Sequence, residues 1–184
     1  MDTIQNFDYT VILFIQSHFH NPVTDFLFPP ITALGNAGIL WILTAIIMLC
    51  FRKTRKWGLL LGASLAITFL LNDLLIKPLV HRSRPCDLYP AVELLIQRPS
   101  SYSFPSGHSA SSFTSAVVLF HCNRRLGITA LVLAALIAFS RVFLFVHFPT
   151  DILTGALLGT TVALVLCAAL KKLQKLPAPI SYKN

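Results

Sequence analysis

The apolar positions of the chain run in long blocks, not in the short alternation of a half-buried sheet. Five blocks, at about 37–51, 57–76, 105–122, 126–144 and 149–170, each come near the roughly 20 residues that a helix needs to cross a bilayer. Ahead of them, Ile4, Phe7, Val11, Ile12, Ile15 and Phe19 fall along one helical stripe, with Gln5, Asn6, Gln16 and Ser17 largely off it. That pattern predicts an amphipathic helix lying in a membrane interface. Residues 23–34 are apolar but short and interrupted by Pro29-Pro30, which makes them either half a span or part of a first, kinked one. The pattern as a whole predicts an all-α, polytopic transmembrane bundle in one domain. Residues 1–34 are its interfacial and first helical part, 35–170 its core and 171–184 a cytoplasmic tail.

Composition sharpens this reading. Of 184 residues, 55% are hydrophobic and 12% charged, against roughly 25% charged in soluble domains. The mean hydropathy is +0.70. A disordered chain is excluded and a soluble globule disfavoured. Asp2 and Asp8, with no basic n-region and no A-x-A-like site, argue against a secretory signal peptide. Cys50, Cys86, Cys122 and Cys167 are far apart and show no CxxC, so neither a zinc site nor a disulfide framework is expected.

The net charge of +8 would suggest nucleic acid in a soluble protein. Here the basic residues cluster between apolar blocks, at Arg52-Lys53-Thr54-Arg55-Lys56, Arg124-Arg125 and Lys171-Lys172. By the positive-inside rule these clusters and the C-terminus face the cytoplasm, and no nucleic-acid partner is expected. Residues 77–104, 145–148 and 35–36 then face the other side.

Lys77, Arg82, Arg84, Arg98 and Arg141 break that rule, because they lie on or near the non-cytoplasmic side. Arg141 even sits within an apolar block, where a charge costs at least about 2.5 kcal/mol without an anionic partner. His108, His147 and Asp151 gather at the same level. One carboxylate cannot neutralise this group, so a phosphate is the expected partner. Lys77 offers a point charge and Arg84 a planar fork for two phosphate oxygens. Pro105-Ser106-Gly107-His108 opens a helix, and its free N–H groups form an anion site. Pro149 opens the next helix, with Asp151 in its first turn, so the carboxylate can reach back to a nitrogen of His147.

A histidine held in this way can attack phosphorus, and a second histidine can protonate the leaving oxygen and later activate water. Cationic groups stabilise the equatorial oxygens, so no metal and no other cofactor is called for. Asp87, Glu93 and Asp151, the acids of this half of the chain, are too few for a magnesium site.

Lys77-x6-Arg84-Pro85, Pro105-Ser106-Gly107-His108 and Ser140-Arg141-x5-His147-x3-Asp151 resemble the three motifs of the type-2 phosphatidic acid phosphatase family, without a substitution and in the family's order. The resemblance covers roughly residues 35–170. It implies a bundle of six transmembrane helices. It also implies a nucleophile at His147 with Asp151 as its partner, a general acid at His108, and phosphate binding by Lys77, Arg84, Ser106, Gly107 and Arg141. The expected activity is hydrolysis of lipid mono- or diphosphates, such as undecaprenyl diphosphate, phosphatidylglycerophosphate or phosphatidic acid, on the extracytoplasmic face of the cell membrane. No obligate protein partner is evident. The alternative is a non-catalytic transporter or flippase of anionic phospholipid, which would have no use for a His–Asp pair.

Other positions carry weaker expectations. Asp73 lies one turn before Lys77 and can pair with it. His81 and Arg82 read as loop residues placed to touch a second phosphate. Gly58-x3-Gly62 and Gly155-x3-Gly159 suggest close helix contacts. Phe143, Phe145 and Phe148 fit core packing better than a lining for the lipid tail.

Overall fold

The computed structural model describes residues 3–175, with side chains to Lys172. Every regular element among the described residues is helical: α1 (Thr3–His18), α2 (Pro22–Ala33), α3 (Ile39–Cys50), α4 (Arg55–Phe69), α5 (Lys77–Val80), α6 (Pro85–Leu88), α7 (Gly107–Cys122), α8 (Arg124–Phe143) and α9 (Pro149–Lys175). A 3₁₀ turn at Asn36–Gly38 precedes α3, and a π-helical stretch, Leu70–Ile76, joins α4 to α5. Beyond Lys175, the expected tail lies outside the described residues.

Among the described residues, three helical stretches are long and apolar enough to cross a membrane: Arg55–Leu88, Arg124–Phe143 and Pro149–Lys172. Pro22–Ala33 and Asn36–Cys50 qualify only as a pair, bent by 43°. The block at 37–51 is thus the second half of a bent helical pair whose first half is residues 22–33. Helix α2 runs through Pro29 and Pro30, and the break falls later, where Ala37 and Gly38 adopt positive φ. The large apolar side chains Ile42, Ile46, Leu59, Leu74, Leu157 and Val165 stay exposed on the outer faces. In water such a surface would aggregate, whereas in a bilayer it is solvated by lipid. The protein is a multi-pass membrane protein.

Helix α7 is the axis of the bundle. Its sixteen residues are short for a span and rich in small polar side chains. Ser109, Ser112, Thr114 and Ser115 are all fully buried. Three of these four hydroxyls pair within the protein, and among the described residues Ser109 Oγ is buried without a partner. Ser115 Oγ donates to Ser111 O at 2.8 Å, Trp41 Nε1 to Ser112 Oγ at 3.0 Å, and Thr68 and Thr114 share a bond of 2.9 Å. Small residues also let neighbours approach. A Cβ on Gly159 would meet Ala110 O at 2.1 Å, and one on Gly155 would meet Ser106 O at 2.4 Å. Gly58 is somewhat less crowded, a Cβ there lying 2.8 Å from Ala45 O, and Gly62 has nothing within 4 Å. Of the two expected glycine pairs, one packs on both residues and the other on its first alone.

Helix α1 does not use the whole predicted stripe for the lipid surface. Ile12 and Ile15 turn inward onto Val142–Val146 and Phe148, while Ile4, Phe7, Leu13 and Phe14 remain exposed. Phe143, Phe145 and Phe148 belong to that same core, as core packing predicts.

Candidate active site

The chain reverses between α3 and α4, between α7 and α8 and between α8 and α9, so the basic clusters at 52–56, 124–125 and 171–172 share one end of the bundle. The starts of α5, α7 and α9 and the end of α8 meet at the other. A cavity of about 360 Å³ opens there, and Asp73, Lys77, Arg84, Gly107, His108, Arg141 and His147 are among its lining residues. Three segments far apart in sequence therefore converge on one wall, as their motifs predict.

His147 lies in the short connection between α8 and α9 and is 2% exposed. Arg84 Nη1 lies 3.0 Å from its Nε2. An arginine only donates, so Nε2 accepts and the ring proton sits on Nδ1. That Nδ1 faces Ser103 Oγ at 3.4 Å and Asp151 Oδ2 at 3.5 Å. Asp151 is itself fixed: Ser103 Oγ donates to Oδ2 at 2.5 Å, the Phe148 N–H donates to Oδ2 at 2.8 Å, and Arg82 Nη1 donates to Oδ1 at 2.6 Å. Burial pushes the His147 imidazole down to about 3, against the upward pull of Asp151. The ring is neutral near pH 7, with its lone pair on the cavity side.

The cations divide into two sets. Lys77 donates to Asp73 at 2.5 Å, and Arg82 is shared by Asp8 and Asp151. Arg84 and Arg141 have no carboxylate within 4.0 Å among the described residues. Arg84 rests on neutral acceptors: Ser101 O at 2.7 Å, Val146 O at 2.7 Å and Tyr102 O at 3.1 Å. Arg141, 4% exposed, donates to Thr32 Oγ1 at 2.8 Å and leaves a buried Nε without a partner. The expectation that one carboxylate faces this whole group of cations is thereby corrected: Asp73 and Asp8 also belong to the balance. Two guanidiniums still lack an anion, which suits a phosphate.

His108 is held by Asn36, with Nε2 to Oδ1 at 3.0 Å, from the break between α2 and α3. Ser106 caps α7 by accepting from Ser109 N at 3.4 Å, and its own N–H donates to Asp151 O at 3.0 Å. Its side chain is buried behind the cavity, not among the lining residues. A Cβ on Gly107 would lie 3.5 Å from both oxygens of Asp73, so that carboxylate stands beside the start of α7. Arg82 does not reach the cavity, contrary to the expectation of a second phosphate contact, because its guanidinium is taken up by two carboxylates.

Sequence reasoning missed Ser103, Asn36 and Asp8. Ser103 and Asn36 lie outside the three motifs, and nothing in their spacing sets them apart. Asp8 did leave a signal, a carboxylate on the helix of an apolar stripe.

Residues 57–175 match the sequence model of the PAP2 superfamily, which covers well over half of the chain. The chain belongs to the PAP2 superfamily. This PAP2 member is 34% identical over 124 residues to an undecaprenyl-diphosphatase of Sulfolobus acidocaldarius, a match covering 67% of this chain and 60% of the relative. It is 38% identical over 144 residues to phosphatidylglycerophosphatase B of Bacillus subtilis, covering 70% and 66%. The chain thus spans about three fifths of the archaeal relative's length. The crystal structure of a transmembrane PAP2-type phosphatidylglycerolphosphate phosphatase from Bacillus subtilis superposes with a TM-score of 0.79 at 29% identity, over 96% of this chain and 90% of the other. This PAP2 member shares the helical fold of that transmembrane phosphatase.

Proposed function

We propose that the protein hydrolyses lipid mono- or diphosphates through a phosphohistidine on His147, with the active site on the extracytoplasmic face. The observation that carries this reading is the orientation of His147. Its Nε2 lone pair faces a cavity edged by two carboxylate-free guanidiniums, and its Nδ1 is backed by Asp151 and Ser103.

The steps follow from that geometry. Nε2 attacks phosphorus, and the bond from phosphorus to the lipid oxygen breaks. His108 gives its proton to that oxygen. Water, deprotonated by His108, then attacks the phosphohistidine and releases inorganic phosphate, which restores both rings. Arg84, Arg141, Lys77 and the amides at the start of α7, with Gly107, stabilise the equatorial oxygens; Ser106 contributes through the cap. No metal or other cofactor takes part. The names of the relatives favour an undecaprenyl-diphosphate or phosphatidylglycerophosphate type of substrate. The basic clusters at the far end of the bundle support the extracytoplasmic placement.

The test is phosphate release from short-chain lipid phosphates by the purified protein in detergent, with quenched reactions assayed for acid-labile phosphohistidine. Release with phosphate trapped on His147 supports the proposal. Binding of the lipid without release would point instead to a transporter.

A further inference from the structure

Asp8 on α1 and Arg82 in the loop before α6 form a buried relay that ends on Asp151. Asp8 is fully buried. It accepts from the Thr150 N–H at 2.9 Å, from Thr150 Oγ1 at 2.6 Å and from Arg82 Nη2 at 2.5 Å. The other arm of Arg82, Nη1, donates to Thr150 Oγ1 at 2.8 Å and to Asp151 Oδ1 at 2.6 Å. The guanidinium lies over the Phe148 ring, 4.3 Å from its centroid. One planar fork therefore joins a carboxylate from the N-terminal helix to the carboxylate behind His147.

Helix α1 grips the same segment at a second point. Gln16 Nε2 donates to Phe143 O at 2.8 Å. Between these two anchors, Ile12 and Ile15 fill the apolar core formed by Val142–Val146 and Phe148. The helix thus straddles residues 143–150, the stretch that presents His147. Burying a carboxylate is costly unless it is paired and hydrogen-bonded, and here Asp8 is held by Thr150 at the start of α9 and by Arg82, which continues to Asp151. A helix needed only for lipid contact would carry an apolar residue at this position.

We infer that α1 is a brace for the catalytic segment, and that Asp8 and Arg82 are positioning residues that fix Asp151, and through it the Nδ1–H tautomer of His147. Neither residue lines the main cavity, so neither is expected to touch substrate. The inference rests on the phosphohistidine reading for its kinetic consequence, though not for its effect on the imidazole.

The full-length protein in detergent provides the test. Asp8→Asn and Arg82→Lys should each lower the rate of phosphoenzyme formation about tenfold or more, a size usual for groups that hold a catalytic side chain. KM should stay within about twofold. In an Asp151→Asn background, Asp8→Asn should cost little further, because its route is already cut. Thr10→Ala, on the exposed face of α1, serves as the control. In ¹⁵N-histidine spectra, His147 should be the Nδ1–H tautomer in the wild type and a mixture in Asp8→Asn and Arg82→Lys. Equal cost of Asp8→Asn with and without Asp151, or an unchanged His147 tautomer in both folded variants, overturns the brace. If Asp151→Asn leaves no rate to measure, or one variant does not fold, the tautomer in the other decides. A wild type that traps no phosphohistidine would sink the proposed function and leave the tautomer result standing by itself.

Discussion

Arg84 Nη1 is shared between His147 Nε2, at 3.0 Å, and the Val146 carbonyl, at 2.7 Å. The guanidinium therefore occupies the Nε2 lone pair, and under the proposed mechanism a phosphate would have to draw it away. The fork is held from behind by Ser101 and Tyr102. Arg84→Lys keeps the charge but loses the fork. It should lower kcat/KM by about 10²–10³-fold, the size of losing an oriented donor to transition-state charge. Steady-state kinetics on a short-chain lipid phosphate checks this. A loss below about fivefold would mean that charge alone suffices.

The two histidines should separate by leaving group. His147→Ala should abolish turnover of every substrate. His108→Ala should cost about 10²–10⁴-fold with a lipid alkoxide, which needs a proton to leave. With a nitrophenyl ester the first step should survive, giving a burst of about one equivalent of nitrophenol and trapped phosphohistidine, because the water then lacks its base. Equal loss of the burst in both variants would show that the roles are misassigned.

Activity should be unchanged by excess chelator and blocked by vanadate. Imidazole, guanidinium and helix N–H groups together supply the nucleophile and the charge stabilisation that a metal would otherwise provide. Vanadate adopts the five-coordinate geometry of phosphoryl transfer and should bind tightly where a transition state is stabilised. Loss of turnover on chelation, restored by magnesium, would contradict the mechanism.

Sidedness can be read by labelling in intact cells. In a background without native cysteines, Gln97→Cys should react with an impermeant maleimide and Lys53→Cys should not. Both positions are exposed, so accessibility reports the side of the membrane. The reverse pattern would place the site towards the cytoplasm.

The glycine contacts predict a graded effect on stability. Gly159→Ala drives a methyl into the Ala110 carbonyl and Gly155→Ala into that of Ser106, both on the rigid backbone of α7. Each should destabilise by about 1–3 kcal/mol, the usual cost of overpacking. Gly62→Ala, with open space around it, should be neutral or slightly stabilising. Thermal unfolding in detergent measures all three.

Hydrophobic length and basic clusters carry the membrane class, the order of the spans and the location of the three motifs, because lipid imposes these requirements on each segment separately. The His147–Asp151 pair was legible for the same local reason: Pro149 starts a helix, and four residues make one turn. Spacing could not reveal where the helical pair bends, since Pro29-Pro30 looks like the break and the positive φ of Ala37 and Gly38 provides it. Nor could it divide the cations into paired and unpaired sets. That division depends on Asp8 meeting Arg82 across 74 positions and Asp151 meeting Arg82 across 69. Such pairings belong to the packing of α1 against the start of α9, and long-range electrostatics leaves no period in a sequence. The sequence by itself determined which groups could do the chemistry. Only the tertiary structure decided which of them are already neutralised and which still lack an anion, because charge balance is a property of distance in space.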